Sequence, residues 1–234
     1  MVSVCMATFN GGKYVREQVN SILAQLSDGD ELIVSDDGST DDTLEVLKSF
    51  HDSRIKVFAG PHKGVTYNFE NAISCSEGEY IILSDQDDVW EPNKVERMLT
   101  ALSSHDLVVS DGWIADEGAN STGRSIFDFN PPHGGFVRTV CHTSYMGCCM
   151  AFRRRILERV MPFPPHIIGH DYWIGQIADM YYDTCFISDR LFRYRRHGNN
   201  ASSFTTNNSP LSFRQKVVYR FWLVWYALGR GWRA

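Results

Sequence analysis

The chain has 234 residues, 43% of them apolar and 22% charged, which suits one packed globular domain and excludes wholesale disorder. A net charge of −5 speaks against a general nucleic-acid binder. The charge is unevenly divided: residues 1–189 hold 14 basic and all 28 acidic residues, while the last 45 residues hold nine Lys or Arg and no acid. Such a split points to different partners for the two ends.

Val2–Ala7 is a short β-rich run. It reads as a first strand, because it lacks the charged, apolar and small-residue segments of a secretory signal. From Tyr14 to Leu26, the residues Val15, Val19, Ile22, Leu23 and Leu26 fall on one stripe of an amphipathic helix. Asp28-Gly29-Asp30 turns the chain into a second strand at Glu31–Ser35. The turn Asp36–Thr40 follows, with Thr40 or Asp41 placed to cap a helix over Thr43–Phe50. Ile55–Ala59 reads as a third strand, Gly64 to Ser74 as a helix and Tyr80–Leu83 as a fourth strand. Asn93–Leu102 is a further helix and Leu107–Ser110 a fifth strand. This alternation predicts an α/β domain, with a mostly parallel central sheet and helices on both faces.

Residues 112–140 are rich in Gly, Pro, Asn and Ser, and a long working loop is expected there. Met146–Phe152 reads as a buried strand and Arg153–Val160 as a helix start. Met161–Pro165 is a rigid spacer before a helix over Asp171–Met180, and Cys185–Ile187 and Leu191–Tyr194 are two late strands. The segment Leu211–Ala234 mixes aromatic and aliphatic residues with five basic ones and no acid. Its longest apolar run, Phe221–Leu228, is too short to span a bilayer. The division expected is therefore a domain over 1–210 and an amphipathic tail over 211–234. That tail either lies in an anionic membrane interface or packs on the domain or a partner subunit. Six cysteines without C-x-x-C spacing fit a reducing compartment; with the tail at a membrane interface, the location expected is cytoplasmic, peripheral on the inner face of the cytoplasmic membrane.

Two acidic turns follow strands: Asp36-Asp37, and Asp85 with Asp87 and Asp88. In an open parallel sheet both reach the carboxyl edge, where ligands bind. Carboxylates crowded on one rim repel one another unless a cation or donor-rich ligand sits among them. Asp85-Gln86-Asp87 suits a hard divalent ion, Mn²⁺ or Mg²⁺, which also keeps substrate phosphates in its shell; the plainer reading is a solvated helix-capping turn. No glycine-rich phosphate loop is present in either common spacing. Asp171 opens a helix and reads as a cap or as a general base. Arg193–Asn200 reads as a basic loop, or as a lid over an anionic leaving group in which His197 completes a metal shell.

Taken together, Val2–Gly12, Ile33–Asp41 and Leu83–Trp90 resemble the family-two inverting glycosyltransferases of the GT-A fold. His170-Asp171-Tyr172-Trp173 and Tyr194–Asn200 resemble the bacterial branch that includes rhamnosyltransferase-like enzymes of surface polysaccharide assembly. The likeness covers roughly residues 2–205.

The resemblance implies that Ala7 and Phe9 line a nucleotide base pocket and that Asp37 binds the base edge, with Asp36 nearby. Gly64 and Asn68 fall on the nucleotide side, and Gly147-Cys148 beside the donor sugar. Asp85 and Asp87 become the metal-binding pair, Asp85 also on the nucleotide side, and Asp171 the catalytic base. The partners implied are a nucleotide-sugar donor, UDP- or dTDP-linked, and a glycan or lipid-linked acceptor, in O-antigen, capsule or lipopolysaccharide synthesis. Two other readings stay open: a sugar-nucleotide nucleotidyltransferase, for which Ala7–Lys13 is poor in basic residues, and a non-catalytic carbohydrate-binding relative.

Overall fold

The computed structural model describes residues 1–165, 167, 169–198, 200 and 212–231. Its first half alternates as the sequence pattern predicts: β1 (Val2–Thr8), α1 (Gly12–Leu23), β2 (Glu31–Asp36), α2 (Thr43–Lys48), β3 (Ile55–Ala59), α3 (Val65–Ser74) and β4 (Tyr80–Asp85). Every residue of β1 and β2 is buried, which is why these strands read as continuous apolar runs rather than as alternating ones. Asp41 does support the start of α2, through an Oδ1 that accepts from the Thr43 amide at 3.1 Å, although the cap position itself is Asp42.

The second half supplies β5 (Val89–Trp90), α4 (Lys94–Leu102), β6 (Leu107–Ala115), β7 (Ser121–Ser125), α5 (Ile126–Phe129) and α6 (Phe136–Cys141). After these come β8 (Met150–Arg153), α7 (Leu157–Val160), α8 (His170–Tyr181), β9 (Thr184–Arg195) and α9 (Phe213–Arg230). The sheet runs β3-β2-β1-β4-β8-β6-β9-β5, with β7 paired to β6. Strands β1 to β4 are mutually parallel. β8 enters antiparallel to both β4 and β6, and β9 runs parallel to β6 but antiparallel to β5. The α/β class is as expected, but beyond β4 the sheet is mixed.

Three local expectations change. Residues 112–140 are not one loop, because β6 continues to Ala115 and turns back as β7. Asp116 closes that turn, its Oδ1 accepting the Asn120 amide at 2.8 Å, and Ser125 with Asp128 forms a capping box that starts α5. Gly112 lets β6 pass the Phe192 ring, where a Cβ would have no room. Within Met146–Phe152, residues Gly147–Cys149 form a 3₁₀ turn before β8 begins. The two late strands are one, β9, with register irregularities against β6 around Ser110 and Asp111.

α9 packs on α6 and α8, with Leu223 and Ala227 fully buried. Among the described residues no helix is long and apolar enough to cross a membrane. The expected boundary between 210 and 211 lies outside the described residues.

Candidate active site

Strand register builds the site. Thr8 of β1 stands opposite Asp36 of β2, and Ala7 opposite Asp85 of β4. The carboxyl ends of all three strands therefore share one edge, at the point where strand order reverses about β1, which is where open α/β sheets hold ligands. A cavity of about 940 Å³ opens there. Ala7, Phe9, Asp37, Gly64, Asn68, Asp85, Asp87 and Asp171 all border it.

On the side of β1 and β2 the backbone is tied down by side chains. Asn68 donates to the carbonyls of Thr8 at 3.2 Å and Ser35 at 2.8 Å, and accepts from the Ser35 hydroxyl at 2.5 Å. Its polar atoms are thus engaged in joining the ends of β1 and β2. Gln86 clamps Phe9, accepting its amide at 2.9 Å and donating to its carbonyl at 3.0 Å. The Phe9 side of the cleft stays open, with 55% of that residue exposed.

Asp36 and Asp37 have opposite surroundings. Asp36 is 4% exposed; it accepts from the amides of Gly38 and Ser39 and the hydroxyls of Thr8 and Ser39. It does not border the cavity and organises the turn that carries Asp37. Asp37 accepts the Gly64 amide through Oδ2 at 2.8 Å, while its buried Oδ1 has no partner among the described residues. Gly64 makes that contact with a φ of 84°, in the left-handed region that favours glycine.

The floor of the site is crowded with charge. Asp85 keeps part of its surface open to the cleft. Burial of its carboxyl, then the charges of Asp87 and Asp171, push its pKa up to about 7, against the Cys148 thiol and the Lys94 charge. Asp88 is fully buried, and burial together with Asp87 and Asp85 pushes it well above the carboxylate range. Lys94 is buried beneath them, donating to the Cys148 carbonyl at 2.7 Å with its ammonium 4.5 Å from the Trp90 ring centre and 4.2 Å from that of Phe192. Burial lowers its pKa.

One lysine does not balance three adjacent carboxyls, and their mutual charge adds to burial in raising two of them. A hard cation would relieve the repulsion. The tightest trio of metal-capable side chains among the described residues is Asp85, Asp88 and Cys148, within 4.8 Å of one another. Cys148 offers a soft sulfur, however, which a hard oxygen-seeking ion does not favour. Asp85 and Asp87 border the cleft and offer oxygen. His197 joins them from the far side, its Nε2 2.7 Å from Asp87 Oδ2 and its ring stacked on Tyr14 at 4.6 Å.

Asp171 enters from α8. Gly169, not Asp171, holds the cap position. Asp171 Oδ1 accepts the Tyr172 amide at 2.8 Å, and Oδ2 has no hydrogen-bond partner among the described residues. The carboxylate thus presents an open acceptor at the cleft, near enough to Asp85 for its charge to raise that group's pKa. The expected basic lid is largely absent from the cavity wall: of Arg193–Asn200, only Tyr194 and Asn200 border it, Asn199 lying outside the described residues. Arg193 donates to Glu91 at 2.9 Å, and Arg195, 4% exposed, donates to the Asp87 and Glu117 carbonyls and to the Glu17 carboxylate. Strand formation through Arg195 turned these cations onto the protein.

Residues 3–161 match the family model described as Glycosyl transferase family 2. The chain belongs to glycosyl transferase family 2. An uncharacterized glycosyltransferase, alr2836 of Nostoc sp., is 26% identical over 215 residues, covering 85% of this chain and 66% of that protein. The UDP-Glc:alpha-D-GlcNAc-diphosphoundecaprenol beta-1,3-glucosyltransferase WfgD of Escherichia coli is 31% identical over 182 residues, 76% of this chain and 70% of WfgD. An uncharacterized glycosyltransferase of Rickettsia conorii, RC0461, is 34% identical over 89% of this chain, which spans 36% of its length. S. aureus TarS in complex with UDP-GlcNAc superposes with a TM-score of 0.69 at 18% identity, covering 95% of this chain and 66% of that one. The mannosyltransferase PcManGT of Pyrobaculum calidifontis, in complex with GDP-Man and Mn²⁺, gives 0.65 at 18%, covering 98% and 73%. At these identities the structures share the fold, the GT-A fold of glycosyltransferases. The matches reach family two without separating its branches.

For a family-two glycosyltransferase, several cleft residues carry no obvious sequence flag. Lys94 had one: it falls on the same helical stripe as Val95, Met98 and Leu102, the buried face of α4. His170 stacks on Phe69 at 4.0 Å, and neither ring nitrogen has a partner among the described residues. Burial lowers its pKa, against the opposing charge of Asp171. Asn130 and Tyr145 reach the cavity from segments beyond β7 that the sequence pattern left as loop.

Proposed function

We propose that this chain transfers a sugar, with inversion, from a UDP- or dTDP-linked donor to a hydroxyl of a glycan or lipid-linked acceptor in bacterial surface-polysaccharide synthesis. The observation that carries the proposal is the gathering of Asp37, Asp85, Asp87 and Asp171 around one cavity. Asp37 offers the donor base an acceptor oxygen without a partner among the described residues. Asp85, Asp87 and His197 would hold Mn²⁺ or Mg²⁺, which when bound neutralises the charge of the departing nucleoside diphosphate. Asp171 Oδ2 accepts the proton of the attacking hydroxyl, whose oxygen displaces the diphosphate from the opposite face of the anomeric carbon. One displacement needs one base, and no second carboxylate has to bond the sugar. A lipid-linked acceptor would put the protein at the cytoplasmic face of the membrane.

A panel of nucleotide sugars, screened by thermal shift and donor consumption with and without Mn²⁺, tests the proposal. One UDP- or dTDP-sugar should raise the melting temperature and be consumed, chelator should abolish turnover, and Mn²⁺ or Mg²⁺ should restore it. Full activity in excess chelator, with Asp87→Ala unaffected, would remove the metal from the reaction.

A further inference from the structure

α9 has two opposite faces. Leu223 and Ala227 are fully buried against the domain, and Tyr219 sits edge-on to Tyr172 of α8 at 5.7 Å. Tyr181, at the other end of α8, donates to the Ala227 carbonyl at 2.8 Å. Tyr219 with Tyr172 and Ala227 with Tyr181 mean that the two helices run parallel. The stretch of α9 around Tyr219 therefore lies beside the start of α8, where Asp171 stands.

The other face carries Val217, Val218, Phe221, Trp225 and Leu228, spaced at helical intervals on one stripe and each 48–61% exposed. Phe221 and Trp225 stack on one another at 6.3 Å, and Trp222, 37% exposed, flanks them. Arg214 is exposed at the head of the same stripe, and Arg220 lies to its side. Nearby on α6, which α9 touches, Val137 is 76% exposed beside Arg138. The described part of α9 has four basic residues and no acid.

We infer that this outer stripe of α9 docks on an anionic lipid surface; the inference deepens the lipid-linked acceptor proposed above and rests on it for its purpose. Charge chooses the occupant. Residues 1–189 carry 14 basic against 28 acidic residues, so an anionic bilayer repels the domain body and attracts α9. That opposition orients the molecule as well as holding it. Exposed Trp and Phe set beside Arg is the composition that enters the headgroup layer, with the helix lying in the plane of the interface. A helix is about 10 Å across, so a bilayer on the outer face of α9 brings the Asp171 end of α8 to within roughly one helix diameter of the headgroups. A sugar attached to a membrane lipid is presented at that height.

Flotation of the full chain with phosphatidylglycerol–phosphatidylcholine vesicles tests the assignment, with phosphatidylcholine vesicles as control. Wild type should float with the anionic vesicles alone and come off as salt is raised. Phe221→Glu with Trp225→Glu, both at exposed positions, should lower the bound fraction about ten-fold, and Arg214→Glu about five-fold. Donor consumption by the same preparations should be unchanged. Binding identical in wild type and the double variant overturns the lipid face. So does a dimer, seen by sedimentation, that the double variant dissolves while wild type ignores vesicles. Vesicle binding without turnover of any donor would keep the lipid face and sink the transferase proposal; turnover without binding would do the reverse.

Discussion

The cleft has two walls built on different principles. The wall formed by β1, β2 and the start of α3 is a closed hydrogen-bond frame: Asn68, Gln86 and Asp36 each satisfy neighbouring backbone groups, leaving Asp37 Oδ1 as its buried open acceptor. The wall formed by β4, α4 and α8 is the reverse. Asp85 and Asp88 have raised pKa values, Asp88 Oδ2 and both nitrogens of His170 lack partners among the described residues, and Asp171 keeps one oxygen open. A satisfied wall fixes a shape that a rigid group such as a base can meet. An unsatisfied wall is preorganised for charge that arrives with substrate, which is where electrostatic catalysis is strongest.

The largest effect should come from breaking the second wall at its open oxygen. Asp171→Asn keeps the size of the side chain and its ability to accept the Tyr172 amide, but loses the basic lone pair. Turnover at saturating donor and acceptor should fall about 10²–10⁴-fold, with an unchanged melting curve. A folded variant within a few-fold of wild type would move the base elsewhere in the cleft.

Breaking the first wall should show in stability instead. Asn68→Ala removes the nearer side-chain donor from the Ser35 carbonyl and the acceptor of the Ser35 hydroxyl, while the Thr8 carbonyl keeps the Asp37 amide at 2.9 Å. A buried polar group left unpaired costs about 1–3 kcal/mol, read as a lowered denaturation midpoint. Unchanged stability would mean that water replaces the amide and that the frame is not closed.

The first wall was the more legible in sequence. β1 and β2 announce themselves because burial on both faces makes them mostly apolar runs, and the acidic turn after β2 points to the ligand edge. The family resemblance separated Asp37 from Asp36, but composition alone could not, since only the turn decides which carboxylate folds inward onto Gly38 and Ser39. The second wall was legible in its acids and hidden in its supports. Asn130 and Tyr145 follow a hairpin whose Gly- and Asn-rich turn looked like loop, and Arg195 looked like a lid until β9 extended through it. In α9, composition showed both an apolar and a basic character, but which residues face the domain depends on the parallel packing against α8.

The contrast between the walls reduces to one comparison, the calorimetric affinity of uridine or thymidine diphosphate with Mn²⁺ for wild type, Asp37→Ala and Asp171→Asn. Removing Asp37 should weaken binding by about 1–3 kcal/mol, the loss of one hydrogen-bond partner to the base, while Asp171→Asn should bind nearly as wild type does. Unchanged affinity in Asp37→Ala, or a loss confined to Asp171→Asn, would contradict the assignment of binding to one wall and reaction to the other.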